Sequence, residues 1–163
     1  KEIEDLCKFV KEFGCDRVLT ECPVGLFPVW EKVGKKYGVT MGIHNHNGPN
    51  KYWNPAYIFP LVKDYEFVKM NPDVGHMARA GINPIDALKT YEGKISSVHF
   101  KDLSEICAKN KPAVYGKGVL DTKGMLAELD RQGFDGYYVI EYEDKWFDNI
   151  PEITECSEFL RKN

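Results

Sequence analysis

The chain has 163 residues, of which 43% are hydrophobic and 29% are charged, so its composition is that of a globular domain and excludes a disordered or fibrous chain. Its formal net charge of -3 and pI near 5.8 give no basic field for phosphate backbones or anionic lipids. We therefore expect neither nucleic acid nor a membrane as a partner, and no apolar run approaches the roughly 20 residues that span a bilayer.

Hydrophobic periodicity predicts five strands separated by helices. The predicted strands lie within residues 17–21, 39–46, 66–76, 94–102 and 136–143. The predicted helices lie within residues 1–14, 26–37, 56–62, 83–93, 121–133 and 151–163. Asn54 and Asn83, each followed by a proline, are predicted N-caps, and Gly93 is a predicted helix stop.

Strands and helices in this alternation build parallel βαβ units, which occur in an open doubly wound sheet or in a closed barrel. No GxGxxG or GxxxxGK[ST] motif is present, so a nucleotide-binding open sheet has no support. The chain lacks an initiator Met and opens inside a helical pattern, and we therefore expect a C-terminal piece of a longer protein. Five cysteines without CxxC spacing fit a reducing compartment, which favours a cytoplasmic location, or a periplasmic one if a signal peptide has been removed.

Histidines and acids cluster at the carboxyl ends of the predicted strands. They are His44, His46, Asp73, His76, His99 and Glu141. In a parallel barrel these strand ends converge on the face where active sites are built. Each histidine alone is better explained as a hydrogen-bonded core or loop residue, but the shared placement on several strands favours a common site.

The spacing leaves individual roles open. His44 and His46 are two residues apart, so they face the same side of an extended strand and either both bind a metal or divide metal binding and base catalysis between them. Asp73 is either a hard oxygen ligand that shares a site with His76 or an N-capping residue beside an unrelated loop histidine. Lys101 is a candidate catalytic cation or a structural ion-pair partner.

Glu141 follows a run of apolar and aromatic residues, which predicts a carboxylate at the rim of a buried sheet. Such a group needs a cation or hydrogen-bond donors to offset its desolvation, and a metal ion is the simplest partner. Mixed oxygen and nitrogen ligands suit Mn, Co, Fe or Zn.

Three segments carry a resemblance to a known family. "DVGH" (73–76), "VHFKD" (98–102) and "GKGVLDTKGMLAELDRQGFDGYYVIEYE" (116–143) resemble the last strands of the sugar phosphate isomerase/epimerase group, the xylose isomerase-like TIM barrels. The resemblance implies an α/β fold of the (β/α)8 TIM-barrel type, of which only the last five βα units are present. Residues 1–163 are then a single domain, the C-terminal part of such a barrel.

The resemblance also implies site residues. It implies one divalent ion, Mn, Co, Zn or Mg, with Asp73, His99 and Glu141 as ligands. The fourth ligand is His44 or else Glu21, and His44 is preferred. It further implies that His46 is a catalytic or substrate-contacting base. By the same resemblance His76 binds substrate, and Glu21 and Trp53 are further candidates for substrate binding.

The chemistry of such a site is coherent. A divalent ion polarises the carbonyl of a sugar or keto-sugar and stabilises the enediolate that forms when a base such as His46, or a tuned carboxylate such as Glu141, removes the neighbouring proton. Return of that proton gives isomerisation or epimerisation, and loss of a β-substituent instead makes the enzyme a lyase of the inosose dehydratase or keto-glycoside-eliminating type. Tyr52, Trp53 and Trp146 either wall the sugar or are ordinary packing residues.

Two other classes of protein remain as alternatives. A metal-dependent endonuclease shares this barrel but normally needs more ligands and a more basic surface, and a non-catalytic sugar-binding domain would hold the ligand without converting it. Five strands of a barrel leave two unpaired edges, so we also expect a homo-oligomer or pairing of these edges with another chain.

Overall fold

The computed structural model describes residues 1–48, 52–107 and 111–163. The helices are α1 (Glu2–Glu12), α2 (Phe27–Tyr37), α3 (Pro55–Val62), α4 (Val74–Arg79), α5 (Pro84–Thr90), α6 (Thr122–Arg131) and α7 (Ile150–Lys162), with a 3-10 turn at Val24–Leu26. The strands are β1 (Arg17–Thr20), β2 (Thr40–His44), β3 (Val68–Asn71), β4 (Ser97–Phe100), β5 (Asp102–Leu103), β6 (Pro112–Ala113) and β7 (Tyr137–Ile140).

Five of the strands run parallel, with helices in the connections, as the sequence predicts. β1, β2 and β3 form one parallel sheet and β4 pairs in parallel with β7. Backbone bridges between Met70 and Ile95 and between Asp73 and His99 join the two groups, so the strand order is β1-β2-β3-β4-β7. Two features were not predicted: α4, which follows β3 almost directly, and the short antiparallel pair of β5 and β6.

The five-stranded sheet is strongly curved, so that its first and last strands approach each other. In a flat sheet β1 and β7 would lie about 19 Å apart, because four strand spacings of about 4.8 Å separate them. Instead the guanidinium of Arg17 on β1 lies 4.1 Å from the centre of the Tyr137 ring on β7 and donates a hydrogen bond to the Ser96 carbonyl. Such curvature is that of a barrel wall.

Alternation along each strand separates the core from the site. Apolar residues such as Met41, Ile43 and Met70 are fully buried in the hydrophobic core, and each buried side chain of this kind stabilises the fold by about 1.5–3 kcal/mol. Their neighbours Gly42 and His44 point to the opposite, inner side, since successive residues of a strand face opposite ways. The inner side of the wall therefore carries the polar groups.

The predicted helix boundaries are confirmed at three positions. The Asn54 and Asn83 side chains cap α3 and α5 by accepting hydrogen bonds from the amides of Ala56 and Ile85, at 3.0 and 2.9 Å. Gly93 follows α5 with a φ of 74°, which favours glycine. Among the described residues, every helix is too short or too polar to cross a bilayer.

Candidate metal centre and active site

Four side chains converge at the carboxyl ends of β2, β3, β4 and β7. Ligand atoms of His44, Asp73, His99 and Glu141 all lie within 4.8 Å of one another. His44 is the last residue of β2 and His99 lies in β4, while Asp73 and Glu141 follow the ends of β3 and β7. Because these strands are adjacent and parallel, residues far apart in the chain meet at one rim.

The separations within this group match the donor spacing of a metal site. His44 Nε2 lies 3.1 Å from His99 Nδ1 and 3.5 Å from Asp73 Oδ2. His99 Nδ1 lies 3.8 Å from Asp73 Oδ2 and 2.5 Å from Glu141 Oε2. Donors about 2.0–2.2 Å from one ion are themselves about 3–3.5 Å apart. Two of the four separations lie in that range, and the 2.5 and 3.8 Å separations lie close to it.

Two of these donors are buried without a normal hydrogen bond. Within the described part of the chain, Asp73 Oδ2 and Glu141 Oε2 accept no hydrogen bond of normal geometry, and Asp73 is fully buried. A buried carboxylate oxygen without a hydrogen bond is costly. The Lys101 ammonium, 3.0 and 3.2 Å from the two oxygens, offsets part of that cost by its charge, and an ion coordinated by both oxygens would offset the rest. This donor set of two imidazoles and two carboxylates therefore fits a divalent ion.

Lys101 lies with its ammonium beside these oxygens. Its side chain is 2% exposed, and its ammonium lies 3.0 Å from Asp73 Oδ2, 3.2 Å from Glu141 Oε2 and 3.1 Å from Glu143 Oε2. A Cβ at Gly75 would lie 2.8 Å from Lys101 Cδ, so the glycine of "DVGH" leaves room for the lysine stem. Three carboxylates surround one ammonium, and the cluster carries excess negative charge.

The charges around the cluster hold both carboxylates ionised. Although burial favours its neutral form, the His44 ring and the Lys101 ammonium keep the pKa of Asp73 well below its ordinary value. The His99 ring and Lys101 likewise lower the pKa of Glu141. Burial opposes the charge of Lys101, but Asp73 and Glu141 outweigh it and raise the lysine pKa.

Asp73 is both a cluster member and a helix cap. Its Oδ1 accepts a hydrogen bond of 2.7 Å from the amide of His76 and so caps α4, while Oδ2 faces the cluster. The buried Asn45 side chain donates to the Asp73 carbonyl at 3.2 Å and accepts from the Asp73 amide at 2.8 Å. The interpretation of Asp73 as an N-cap is thus confirmed for Oδ1, and its interpretation as a metal ligand stays a prediction for Oδ2.

His46 and Glu21 form a second group at the rim. His46 Nε2 lies 2.7 Å from Glu21 Oε1, and each side chain is 41% exposed. The ring centre of His46 lies 4.8 Å from that of His44 and 4.7 Å from that of His76. Glu21, His46 and His44 also lie close enough together to hold a metal ion. His44 is thus shared between this group and the group that contains Asp73. Glu21 does not belong to the group that contains Asp73.

His76 lies beside this dyad and is mostly buried. Its side chain is 14% exposed, and its Nδ1 has no hydrogen-bond partner among the residues that the structure describes. Burial lowers the pKa of His76 to about 4, so the ring is neutral near pH 7. A neutral imidazole with an unpaired nitrogen is able to donate to or accept from a hydroxyl group.

The three aromatic residues differ in their surroundings. Tyr52 is fully buried and donates a hydrogen bond to the Cys22 carbonyl, so it is a packing residue. Trp53 is half-buried, and a Cβ at Gly48 would lie 3.6 Å from its ring. Trp146 is 72% exposed.

Three residues that shape this region were not singled out as site residues from the sequence. Asn45 fixes the backbone of Asp73, and Glu143 accepts a hydrogen bond from Lys101. Asp102 is fully buried and organises the following loop, because its carboxylate accepts hydrogen bonds from four backbone amides. These amides belong to Leu103, Gly116, Gly118 and Leu120, at 2.8–3.1 Å. The "EYE" spacing of Glu141 and Glu143 was the available signal for Glu143, since residues two apart face the same side of an extended chain.

Comparisons with known proteins agree with this architecture. A family model described as "Xylose isomerase-like TIM barrel" matches residues 1–163. An inosose dehydratase of Lacticaseibacillus casei is 25% identical over 126 residues, which are 67% of this chain and 42% of that protein. This chain thus spans less than half the length of that relative.

Solved structures share the fold at low sequence identity. The structure of an L-ribulose 3-epimerase superposes with a TM-score of 0.79 at 16% identity. The superposition covers 98% of this chain and 65% of the epimerase chain. The structure of an IOLI protein, described with a bound zinc atom, superposes with a TM-score of 0.77 at 17% identity. The superposition covers 99% of this chain and 67% of the IOLI chain.

Proposed function

Because the chain belongs to the xylose isomerase-like TIM barrel family, we propose that it is the metal-binding part of a divalent-metal-dependent isomerase or epimerase acting on a small sugar or keto-sugar. The observation that carries the proposal is the convergence of His44, Asp73, His99 and Glu141 at one rim of the sheet. Two of their oxygens are buried without a hydrogen bond of normal geometry within the described residues.

In this proposal His44, Asp73, His99 and Glu141 hold one divalent ion, Mn, Co, Zn or Mg. His44 rather than Glu21 is the fourth ligand, because His44 Nε2 lies 3.5 Å from Asp73 Oδ2 whereas Glu21 falls outside that group. When bound, the ion supplies Lewis-acid polarisation of a substrate carbonyl.

The proton-transfer step falls to residues of the chain itself. His46 removes the proton next to the substrate carbonyl, and Glu21 orients its ring through the 2.7 Å contact with Nε2 and balances the charge that the ring gains. The remaining ring nitrogen, Nδ1, is then the atom that takes the proton. Glu141 is the alternative base, since its ionised carboxylate lies at the same rim.

Other residues position the substrate. The Lys101 ammonium stabilises negative charge that develops on a substrate oxygen as the enediolate forms. The neutral His76 ring, with its unpaired Nδ1, binds a sugar hydroxyl group. Trp53, whose ring lies next to Gly48, two residues after His46, is a further candidate to contact the sugar.

A lyase is the second candidate. The L. casei relative is an inosose dehydratase, and the same deprotonation begins both reactions. In the dehydration the electron pair of the broken C–H bond forms a C=C bond, the β-hydroxyl leaves, and a protonated side chain such as His46 supplies the proton that makes it water. The nature of the β-substituent then selects the outcome.

We further propose that residues 1–163 form one unit that supplies the last five βα units of an eight-unit barrel. The support is that the chain covers about two thirds of each solved structure described above and has five parallel strands, of which β1 and β7 each pair on one side only among the described residues. Their other edges are then covered by further βα units or by a second copy of the chain.

Solvent proton exchange tests the proposed function. The purified protein is incubated with ketoses, keto-sugars and inososes in deuterated water, and deuterium at the carbon next to the carbonyl is followed by NMR. We expect exchange that a chelator abolishes and a divalent ion restores, and a much slower exchange in His46→Gln. Exchange that is unaffected by chelator or by removal of His99 would contradict the proposal. The appearance of an unsaturated product would favour the lyase.

A further inference from the structure

Two neighbouring strand ends present matching pairs of polar residues. On β4 and its extension His99 and Lys101 are two residues apart, and after β7 Glu141 and Glu143 are two residues apart. The pairs meet in two layers: His99 Nδ1 lies 2.5 Å from Glu141 Oε2, and Lys101 donates a hydrogen bond of 3.1 Å to Glu143 Oε2. The Glu143 layer lies nearer the solvent, since its side chain is 43% exposed and that of Glu141 is 31% exposed.

The Lys101 ammonium lies close to the oxygens that would hold a metal ion. It is 3.0 Å from Asp73 Oδ2 and 3.2 Å from Glu141 Oε2, so it serves as their counter-ion. A divalent ion bound to the same two oxygens would face this ammonium at short range in a largely buried site, where repulsion between like charges is strong. Ion binding therefore needs another acceptor for the ammonium.

Glu143 is that acceptor. Its carboxylate already accepts a hydrogen bond from Lys101. Because the side chain reaches the solvent, the carboxylate is able to hold the ammonium at the rim without a large desolvation cost. The packing of the lysine stem against Gly75 limits how far Lys101 moves by itself.

We infer that Glu143 is a positioning residue: when an ion occupies the site, its carboxylate draws the Lys101 ammonium off Asp73 and Glu141, which the ammonium contacts at 3.0 and 3.2 Å in this structure, and thereby sets the affinity of the site for a divalent ion. The inference rests on the proposed metal centre. It assigns Glu143 a role through Lys101 and not as a ligand, because the donor group around Asp73 does not include it.

The two residues then act in opposite directions. In Glu143→Gln the ammonium loses its rim carboxylate and rests on Asp73 and Glu141, so ion binding weakens by about 10-fold, at the lower end of the range for residues that support a metal site. In Lys101→Met the like charge is gone and ion binding becomes at least as tight as in the wild type. In the double variant the effect of Glu143→Gln shrinks to less than about threefold, since no ammonium remains to be held.

Calorimetric titration of chelator-treated protein with Zn²⁺ and with Mn²⁺ tests the inference on the wild type, the two single variants and the double variant. Glu155→Gln is the matched control, because Glu155 pairs with Lys117 at the surface, and its ion affinity should equal that of the wild type. Thermal unfolding of every variant verifies folding. If Lys101→Met does not fold, Lys101→Gln replaces it in the cycle.

The outcomes are distinguishable. Tenfold weaker binding in Glu143→Gln that disappears in the Lys101 variant supports the inference. Unchanged binding in Glu143→Gln, or an equal loss with and without Lys101, overturns it and leaves the metal centre standing. A wild type that binds neither ion overturns the metal centre and this inference together.

Discussion

The central asparagine of the "HNH" segment provides a quantitative link between the fold and the site. Asn45 is fully buried and forms two hydrogen bonds with the backbone of Asp73, at 2.8 and 3.2 Å. Asn45→Ala leaves the buried amide of Asp73 without its acceptor, at a cost of about 1–3 kcal/mol for the unsatisfied group. The Asp73 carbonyl keeps the hydrogen bond that it accepts from the Met77 amide at 3.1 Å, so we expect the free energy of unfolding to fall by about 1–3 kcal/mol.

The same substitution should weaken metal binding. Once its backbone is released, the Asp73 carboxylate no longer has a fixed orientation toward His44 and His99, and loss of such supporting contacts typically lowers metal affinity by about 10–100-fold. Urea unfolding of the chelated protein measures the first effect, and calorimetric titration with Zn²⁺ measures the second.

Asn83→Ala is the control for this prediction. Asn83 also bonds a backbone amide, that of Ile85, but it is an exposed N-cap, so its loss should cost about 1 kcal/mol and leave ion affinity unchanged. Asn45→Ala with a stability loss below 1 kcal/mol, or with the ion affinity of the wild type, would refute the reasoning that the HNH asparagine supports Asp73.

Three further predictions concern the loop after β4 and the buried histidine. Asp102→Ala should lower the free energy of unfolding by about 3–5 kcal/mol in urea titrations, because four backbone amides lose a charged acceptor. Gly118→Ala should destabilise as well, since its Cβ would collide with the Asp102 carboxylate, and circular dichroism melts that match the wild type would contradict this. The His76 pKa is about 4 in the folded protein and about 6.5 when unfolded, so protonation of the unfolded state should remove about 1–2 kcal/mol of stability between pH 7 and pH 5. The His76→Gln variant, measured with chelator present, should not lose this 1–2 kcal/mol of stability. An equal change in the free energy of unfolding with pH for the wild type and the variant would count against the pKa shift.

The sequence predicts the parallel strands well, because their signals are local. Alternation of apolar and polar residues places Met41 and Ile43 on the core side and His44 on the other side, and the structure has the same arrangement. The N-caps Asn54 and Asn83 are equally local signals, since each contacts an amide two residues away.

Short elements escaped the sequence analysis for a physical reason. The helix α4 has only six residues and follows β3 almost directly, so its apolar spacing merges with that of the strand. β5 and β6 have two residues each, too few for an alternating pattern, and they owe their pairing to the surrounding loop that Asp102 organises.

The candidate site was predictable in its members and not in its contacts. Strand ends gave His44, Asp73 and Glu141 as neighbours, because parallel strands bring their carboxyl ends together. That Asp73 uses its two oxygens for different tasks depends on side-chain directions that only the folded chain defines. The same holds for Asn45, which the strand alternation places away from the two histidines and which finds its partner 28 residues further along the chain.

Anomalous diffraction from crystals grown with zinc and measured at its absorption edge tests the central claim most directly. We predict one strong peak among His44 Nε2, Asp73 Oδ2, His99 Nδ1 and a Glu141 carboxylate oxygen, and its loss in Asp73→Asn. No peak at this rim, or a peak held by Glu21 and His46 without Asp73, would contradict the account.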